Sequence, residues 1–317
     1  MTKDDFTRQD ILLESGTNEV EIMEFVLRDQ YFGVNVAKVK QMLSFDRSNL
    51  TELPLSPDVV MGLYTFRDSA IPLLDLGIAF DLSNEKRGKK PLIMVCEFNK
   101  IINGFFIDSV KRIHRLPWSD IRPLDEAISK NNFSVTGAVT LKDHEILLID
   151  LEAIIGELNP ELKEKDIEEE TSDDQNKQTD QITIIAAEDS AFMRKQILRN
   201  LNKAGFNNIH SFPDGKKAYD AVLDFCEQAK KEAREVTDFF QVIVTDIEMP
   251  LMDGLTLCKN VKDSPVLKNV FVLVYSSLIT DEMAMKCKAV GADAYLSKTQ
   301  MDKMITILNE FAQNRGS

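Results

Sequence analysis

The sequence predicts a multidomain chain: an all-β half made of two small barrels, then a doubly wound α/β half. Three observations predict it. Residues 20–158 alternate apolar and polar positions between turn signals, with little helical periodicity. Residues 159–180 are acidic and almost free of apolar side chains, a break between two cores. From residue 181 short apolar runs alternate with amphipathic helical patterns, the signature of a parallel sheet covered by helices. A chain of 317 residues has room for both cores.

Residues 1–19 form an N-terminal segment that opens on Met1-Thr2-Lys3-Asp4-Asp5, polar and unlike a signal peptide. The β half follows. Glu21–Leu27 runs into the turn Arg28-Asp29-Gln30, and Leu92–Phe98 into Asn99-Lys100, so both read as hairpins. A repeat underlies the pattern. Gly62, Thr65, Asp68, Ile71, Leu73, Asp75 and Leu76 recur 75 positions later as Gly137, Thr140, Asp143, Ile146, Leu148, Asp150 and Leu151. Gly33, Val39 and Lys40 recur after 71 positions as Gly104, Val110 and Lys111. Two copies of one β unit, differing by a short indel, account for both offsets.

This half carries no catalytic constellation. The three histidines, His114, His144 and His210, are far apart in sequence, so no triad or metal cage is expected from them. His144 falls in the turn Lys142–Glu145 and reads as solvated; Trp118, after Pro117, reads as a barrel plug. A β unit without chemistry is most simply a binding module.

The boundary segment is steeply charged. Between Glu157 and Gln181 ten acidic residues face three basic ones, half of the chain's net charge of −14. A self-repelling linker fits this stretch; an exposed helix with paired charges fits its first part as well. The overall negative charge argues against a nucleic-acid partner, which requires clustered Lys and Arg. No apolar run reaches the roughly 18 residues that span a bilayer. Cys96, Cys226, Cys258 and Cys287 are scattered without a Cys-x-x-Cys pair, as expected of small buried residues in a reducing, cytoplasmic compartment.

In the second half Ile182–Ala187 reads as a strand closed by Glu188-Asp189, and Ser190 N-caps a helix over Ala191–Leu201. Val242–Thr245 delivers Asp246 to a strand end, and Pro250 and Gly254 turn the chain away behind it. Ser276 closes the strand Val270–Tyr275, and Lys298 follows Ala294–Ser297. A last helix runs from Met301 to Phe311. In an open parallel sheet these carboxyl ends form one rim, where ligands bind.

Residues 20–158 resemble a CheW-type coupling domain in Tyr31–Val36 with Val39-Lys40, in Gly62–Asp68, and in Ile71–Leu76. Residues 181–317 resemble a response-regulator receiver, and the order of the two is that of CheV-type chemotaxis coupling proteins. The resemblance implies a flavodoxin-like receiver phosphorylated on Asp246 by a phosphohistidine of the kinase CheA. It further implies a link between CheA and chemoreceptor tips in membrane-attached arrays, without insertion into the membrane. Arg67 matches the family's recurrent arginine and is a candidate for the coupling interface; a surface salt bridge is the alternative. Tyr295 matches the receiver's switch aromatic, or is a half-buried strand tyrosine.

Clustered carboxylates repel by about 4 kcal/mol per pair at about 4 Å and an effective dielectric near 20. Either one keeps a proton or a divalent cation neutralises them, and oxygen-only donors suit Mg²⁺. The expected ligands are Asp189, Asp246, the backbone carbonyl of Glu248, and Glu188 through water. Lys298 then pairs with a phosphoryl oxygen and Ser276 turns its hydroxyl to another. Three departures stand out: Asp68 replaces a glycine, Thr299 replaces the proline after the receiver lysine, and a surplus near Asp224–Asp238 implies an extended second helix. Two rival functions remain, a phosphate sink for CheA and an aspartyl-phosphate phosphatase using Glu248 as acid–base.

Overall fold

The computed structural model describes residues 19–67, 69–83, 88, 90–98, 101–124, 134–158, 178–277 and 279–315. The acidic stretch 159–177 and Asp68 lie outside them. In chain order the strands of the first half are β1 (Glu19–Leu27), β2 (Gln30–Asn35), β3 (Val39–Ser44), β4 (Leu50–Thr51), β5 (Val60–Phe66) and β6 (Ser69–Asp75). Then come β7 (Leu92–Phe98), β8 (Ile101–Ile107), β9 (Ser109–Pro117), β10 (Arg122–Pro123), β11 (Val135–Thr140) and β12 (Glu145–Ile149). Short helices α1 (Leu76–Ala79) and α2 (Leu151–Leu158) follow β6 and β12, each N-capped by the equivalent aspartate, Asp75 or Asp150.

These strands make two six-stranded sheets, ordered β10-β11-β12-β2-β1-β9 and β4-β5-β6-β8-β7-β3. The repeat maps one order onto the other: β1, β2 and β3 correspond to β7, β8 and β9, and β4, β5 and β6 to β10, β11 and β12. The two copies are therefore interleaved, since each sheet takes strands from both. The exchange occurs at two parallel joins, Gly33 opposite Leu148 and Leu73 opposite Gly104. Strands approach closely at both, most tightly at Gly33. A Cβ on Gly33 would sit 2.7–2.8 Å from methyls of Ile22, Ile146 and Leu148, and one on Gly104 would sit 3.1 Å from Ile93 and Leu73.

Arg28, at the tip of the first hairpin with φ 50°, turns inward instead of into solvent. Its guanidinium donates to Asp75 Oδ1 at 3.0 Å and Asp108 Oδ1 at 3.1 Å, and its backbone N–H donates to Asp108 Oδ2 at 2.6 Å. One sheet is thus tied to the other through a buried ionic triad. His144 is not solvated. It stacks on Tyr31 with ring centroids 3.9 Å apart, and its Nε2 lies 3.2 Å from the buried Glu24 carboxylate, which His114 also meets at 2.6 Å. Two of the three histidines, distant in sequence, share one carboxylate because β1 lies between β2 and β9.

The second half is a five-stranded parallel sheet of β13 (Thr183–Ala187), β14 (Asn208–Phe212), β15 (Val242–Thr245), β16 (Phe271–Ser276) and β17 (Ala294–Ser297). Its order is β14-β13-β15-β16-β17, reversing direction beside β13. Helices α3 (Ala191–Lys203), α4 (Gly215–Glu232), α5 (Gly254–Asp263), α6 (Asp281–Ala289) and α7 (Met301–Arg315) cover both faces. Ile197 and Leu201 of α3 share a core with Met304, Ile305 and Leu308 of α7. Val222 of α4, Leu257 and Val261 of α5 and Cys287 of α6 share the other. The surplus sequence before β15 lengthens α4 to 18 residues. All four cysteines are free and buried.

Candidate functional site: an acidic pocket at the strand ends

Strand β15 is buried along its length, and the ladder continues one step beyond it, with Asp246 N–H donating to Ala187 O at 2.9 Å. The chain then turns so sharply that a Cβ on Gly254 would lie 1.8 Å from Asp246 O. Asp253 N-caps α5 by accepting from Leu255 and Thr256 N–H, both at 2.9 Å. Glu188 and Asp189 leave β13, and Arg194 on α3 grips both of their carbonyls, at 2.6 and 3.2 Å.

Carboxylate oxygens of Glu188, Asp189 and Asp246 all lie within 4.8 Å of one another. Lys298 enters this group from the end of β17. Its Nζ donates to Asp246 Oδ2 at 2.8 Å and Glu188 Oε1 at 2.9 Å. The segment bearing it, with Thr299 in place of proline, is tied to β16: Tyr275 Oη donates to Lys298 O at 2.7 Å, and Lys298 N–H reaches Ser276 O at 3.3 Å. Ser276 is buried at the end of β16, opposite Ser297.

Burial opposes the charge of Lys298, but Asp246 and Glu188 outweigh it and hold the ammonium well above its usual range. Desolvation pushes Asp189 up to about 8, helped by Asp246 and by Asp150 of the first domain. Glu188 is raised too, by burial first, then by Asp246 and Asp189. One lysine is too little cation for this group. Glu188 Oε2 is buried with no hydrogen-bond partner, an orphan that a hard divalent cation would satisfy. The residues therefore fit Mg²⁺, with carboxylate oxygens supplied from two strand ends.

Three groups that sequence reasoning missed reach the pocket from the first domain. Lys38, just after β2, sits 3.0 Å from Glu248 Oε2 and 3.4 Å from Glu152 Oε1. Asn35 Nδ2 donates to Glu248 Oε1. Glu152 on α2 accepts from Ser277 Oγ at 2.5 Å, one residue beyond Ser276. Trp118, expected as a plug, does pack against the cluster of Val20, Ile121 and Val139, and its carbonyl also accepts from Leu251 N–H at 3.0 Å. The remaining candidates lie outside the carboxylate group. Tyr295 is half-buried on β17, with Lys288 Nζ 5.8 Å from its ring centroid. Arg67 is exposed at φ 53°, bonded to Gln41 at 3.1 Å and lying over Phe66.

Residues 21–159 match the CheW-like domain family and residues 184–309 the response regulator receiver domain family. Among relatives, chemotaxis protein CheV3 of Helicobacter pylori is 29% identical over 301 residues, covering 90% of this chain and 92% of its own. CheV2 of the same organism is 24% identical, covering 86% and 87%. Its chemotaxis protein CheW is 27% identical across 45% of this chain and 85% of that protein. The chain joins a CheW-like domain to a response regulator receiver domain, and nine-tenths of it is similar to CheV3. Its two halves are accordingly a CheW-like coupling domain and a receiver domain, and the acidic pocket is the receiver's. Among the described residues, no helix is long and apolar enough to cross a membrane.

Proposed function

We propose that this CheV-type adaptor links chemoreceptor tips to the histidine kinase CheA, and that a phosphoryl group taken up on Asp246 adjusts the link during adaptation. Its place would be the cytoplasmic face of receptor arrays, with residues 159–180 as the acidic tether between domains at 20–158 and 181–317. The observation that carries the proposal is the convergence of Glu188, Asp189 and Asp246 on Lys298 beside the orphaned Glu188 oxygen.

In the transfer, an Asp246 carboxylate oxygen forms the new bond to phosphorus as the donor's N–P bond breaks, and the donor imidazole keeps the bond's electrons and takes a proton. Asp189 and Asp246, with the Glu248 carbonyl and Glu188 through water, would hold Mg²⁺, which neutralises the incoming charge. Lys298 is placed to move from Asp246 Oδ2 to a phosphoryl oxygen, and Ser276 to hydrogen-bond another. Tyr295 would report the change at the surface, and Arg67 would serve the coupling face. A phosphatase reading finds less support, because the Glu248 carboxylate that would act as acid–base is held by Lys38 and Asn35.

Labelled phospho-CheA mixed with the chain tests the proposal. Label should move to wild type when Mg²⁺ is present and should not reach Asp246→Asn. A phosphate sink would show the same transfer but leave receptor-stimulated kinase activity unaltered by that substitution.

A further inference from the structure

The first domain closes over the acidic pocket of the receiver. Asp246, Glu188, Glu248 and Lys298 are each no more than 8% exposed in the docked chain. The cover is polar and narrow: Lys38 and Asn35 on the Glu248 carboxylate, Glu152 on Ser277, the Trp118 carbonyl on Leu251 N–H. At its edge the helices α2 and α3 touch, where a Cβ on Gly156 would sit 2.4 Å from the Phe192 ring. Beside these contacts an open cleft of about 530 Å³ remains, walled by Val36, Trp118, Ile247, Leu255 and Met283. A few charged contacts around a solvent cleft make a reversible dock, not a fused interface.

We propose that the CheW-like domain is a lid on the acceptor pocket, so that the docked chain resists phosphoryl transfer and the phosphorylated chain resists docking. Two features give the lid its sensitivity. Ser277 is anchored to Glu152 and adjoins Ser276, so a shift of the loop after β16 as Ser276 engages a phosphoryl group would pull on the lid. The groups the lid brings to the pocket, Asp150, Glu152 and Lys38, are net negative. A phosphoryl group adds about −1.5 to −2 charge beside them, which disfavours the docked state. Coupling of this kind is reciprocal: whatever opens the lid must ease phosphoryl uptake by the same factor.

The inference rests on the acceptor reading, and the test separates the two. Lys38→Met removes the lid's cation, while Gly156→Leu wedges α2 from α3 without touching any charge and suits a helix better than glycine. Docking is read without any phosphodonor from the emission of Trp118, the chain's single tryptophan. Uptake is read separately, with a small phosphoramidate and Mg²⁺. Both variants should shift Trp118 emission to the red and take up phosphoryl groups on the order of 5- to 100-fold faster than wild type. Unshifted emission, or uptake no faster in the opened variants, overturns the lid. Slower uptake in Lys38→Met alone would instead make Lys38 an assistant to transfer, also overturning it. Red-shifted variants in a chain that accepts no phosphoryl group would uphold the dock and sink the acceptor reading.

Discussion

Replacing Lys298 by methionine probes the pocket's electrostatics most sharply. Its ammonium makes two charged contacts, 2.8 Å to Asp246 and 2.9 Å to Glu188, among groups at most 8% exposed. Without it, carboxylates whose oxygens lie within 4.8 Å of one another face each other with no cation in contact, Lys38 being paired to Glu248 and Glu152. One such pair repels by about 3.5 kcal/mol at that separation and an effective dielectric near 20. Breaking a buried ion pair by removing one partner costs about 3–5 kcal/mol, in the same range. Lys298→Met should therefore destabilise the metal-free receiver by about 3–5 kcal/mol. Mg²⁺ at a hundredfold excess over its dissociation constant should return about 2.7 kcal/mol. Urea denaturation followed by helical circular dichroism measures both, since the five long helices α3–α7 lie in or beside this sheet. A loss below about 1 kcal/mol that Mg²⁺ does not change would show that the carboxylates do not depend on a nearby cation.

Other outcomes follow from the same structure. Asp75→Ala takes away one of Arg28's two carboxylate partners and the N-cap of α1 while Asp108 stays, and should cost about 1–3 kcal/mol in the CheW-like domain, read as a lowered urea midpoint for that domain's transition. Gly254→Ala forces a methyl onto Asp246 O, so it should abolish the receiver's cooperative thermal transition while leaving that of the first domain in place. Asp189 binds its proton more tightly folded, near 8, than in a free chain, near 3.8. Its contribution is therefore most favourable below pH 3.8 and is lost as pH rises toward 8; metal-free thermal stability should fall across that window, and saturating Mg²⁺ should flatten the slope. Burial pushes the Cys96 and Cys258 thiols up to about 12, so native labelling by a thiol reagent at neutral pH should be slow and become fast only on unfolding.

The site was legible wherever a local pattern carries it. Asp246 and Glu188-Asp189 announce themselves because apolar runs end at them, and strand ends in a parallel sheet share one rim. The repeat was legible through its fixed offsets, yet not the exchange it makes: offsets show that Gly33 and Gly104 are equivalent, not that each pairs with the other copy's leucine. Contacts between distant elements left no trace. Asn35 and Glu248 are 213 residues apart, and Glu152 and Ser277 are 125 apart. Lys38 reads locally as one more exposed lysine after a strand, and His144 as a turn residue. Only the packing of one domain on another, or of β1 between β2 and β9, reveals what they touch.

A crystal of the chain soaked with Mg²⁺ and beryllofluoride would show whether Asp246 is the phosphoryl acceptor. The expected density is a cation held by Asp189 and Asp246 and a beryllofluoride group bonded to Asp246, with Lys298 turned onto one of its fluorines. Density for both ions elsewhere, with Lys298 still on Asp246 and Glu188 Oε2 still bare, would contradict it.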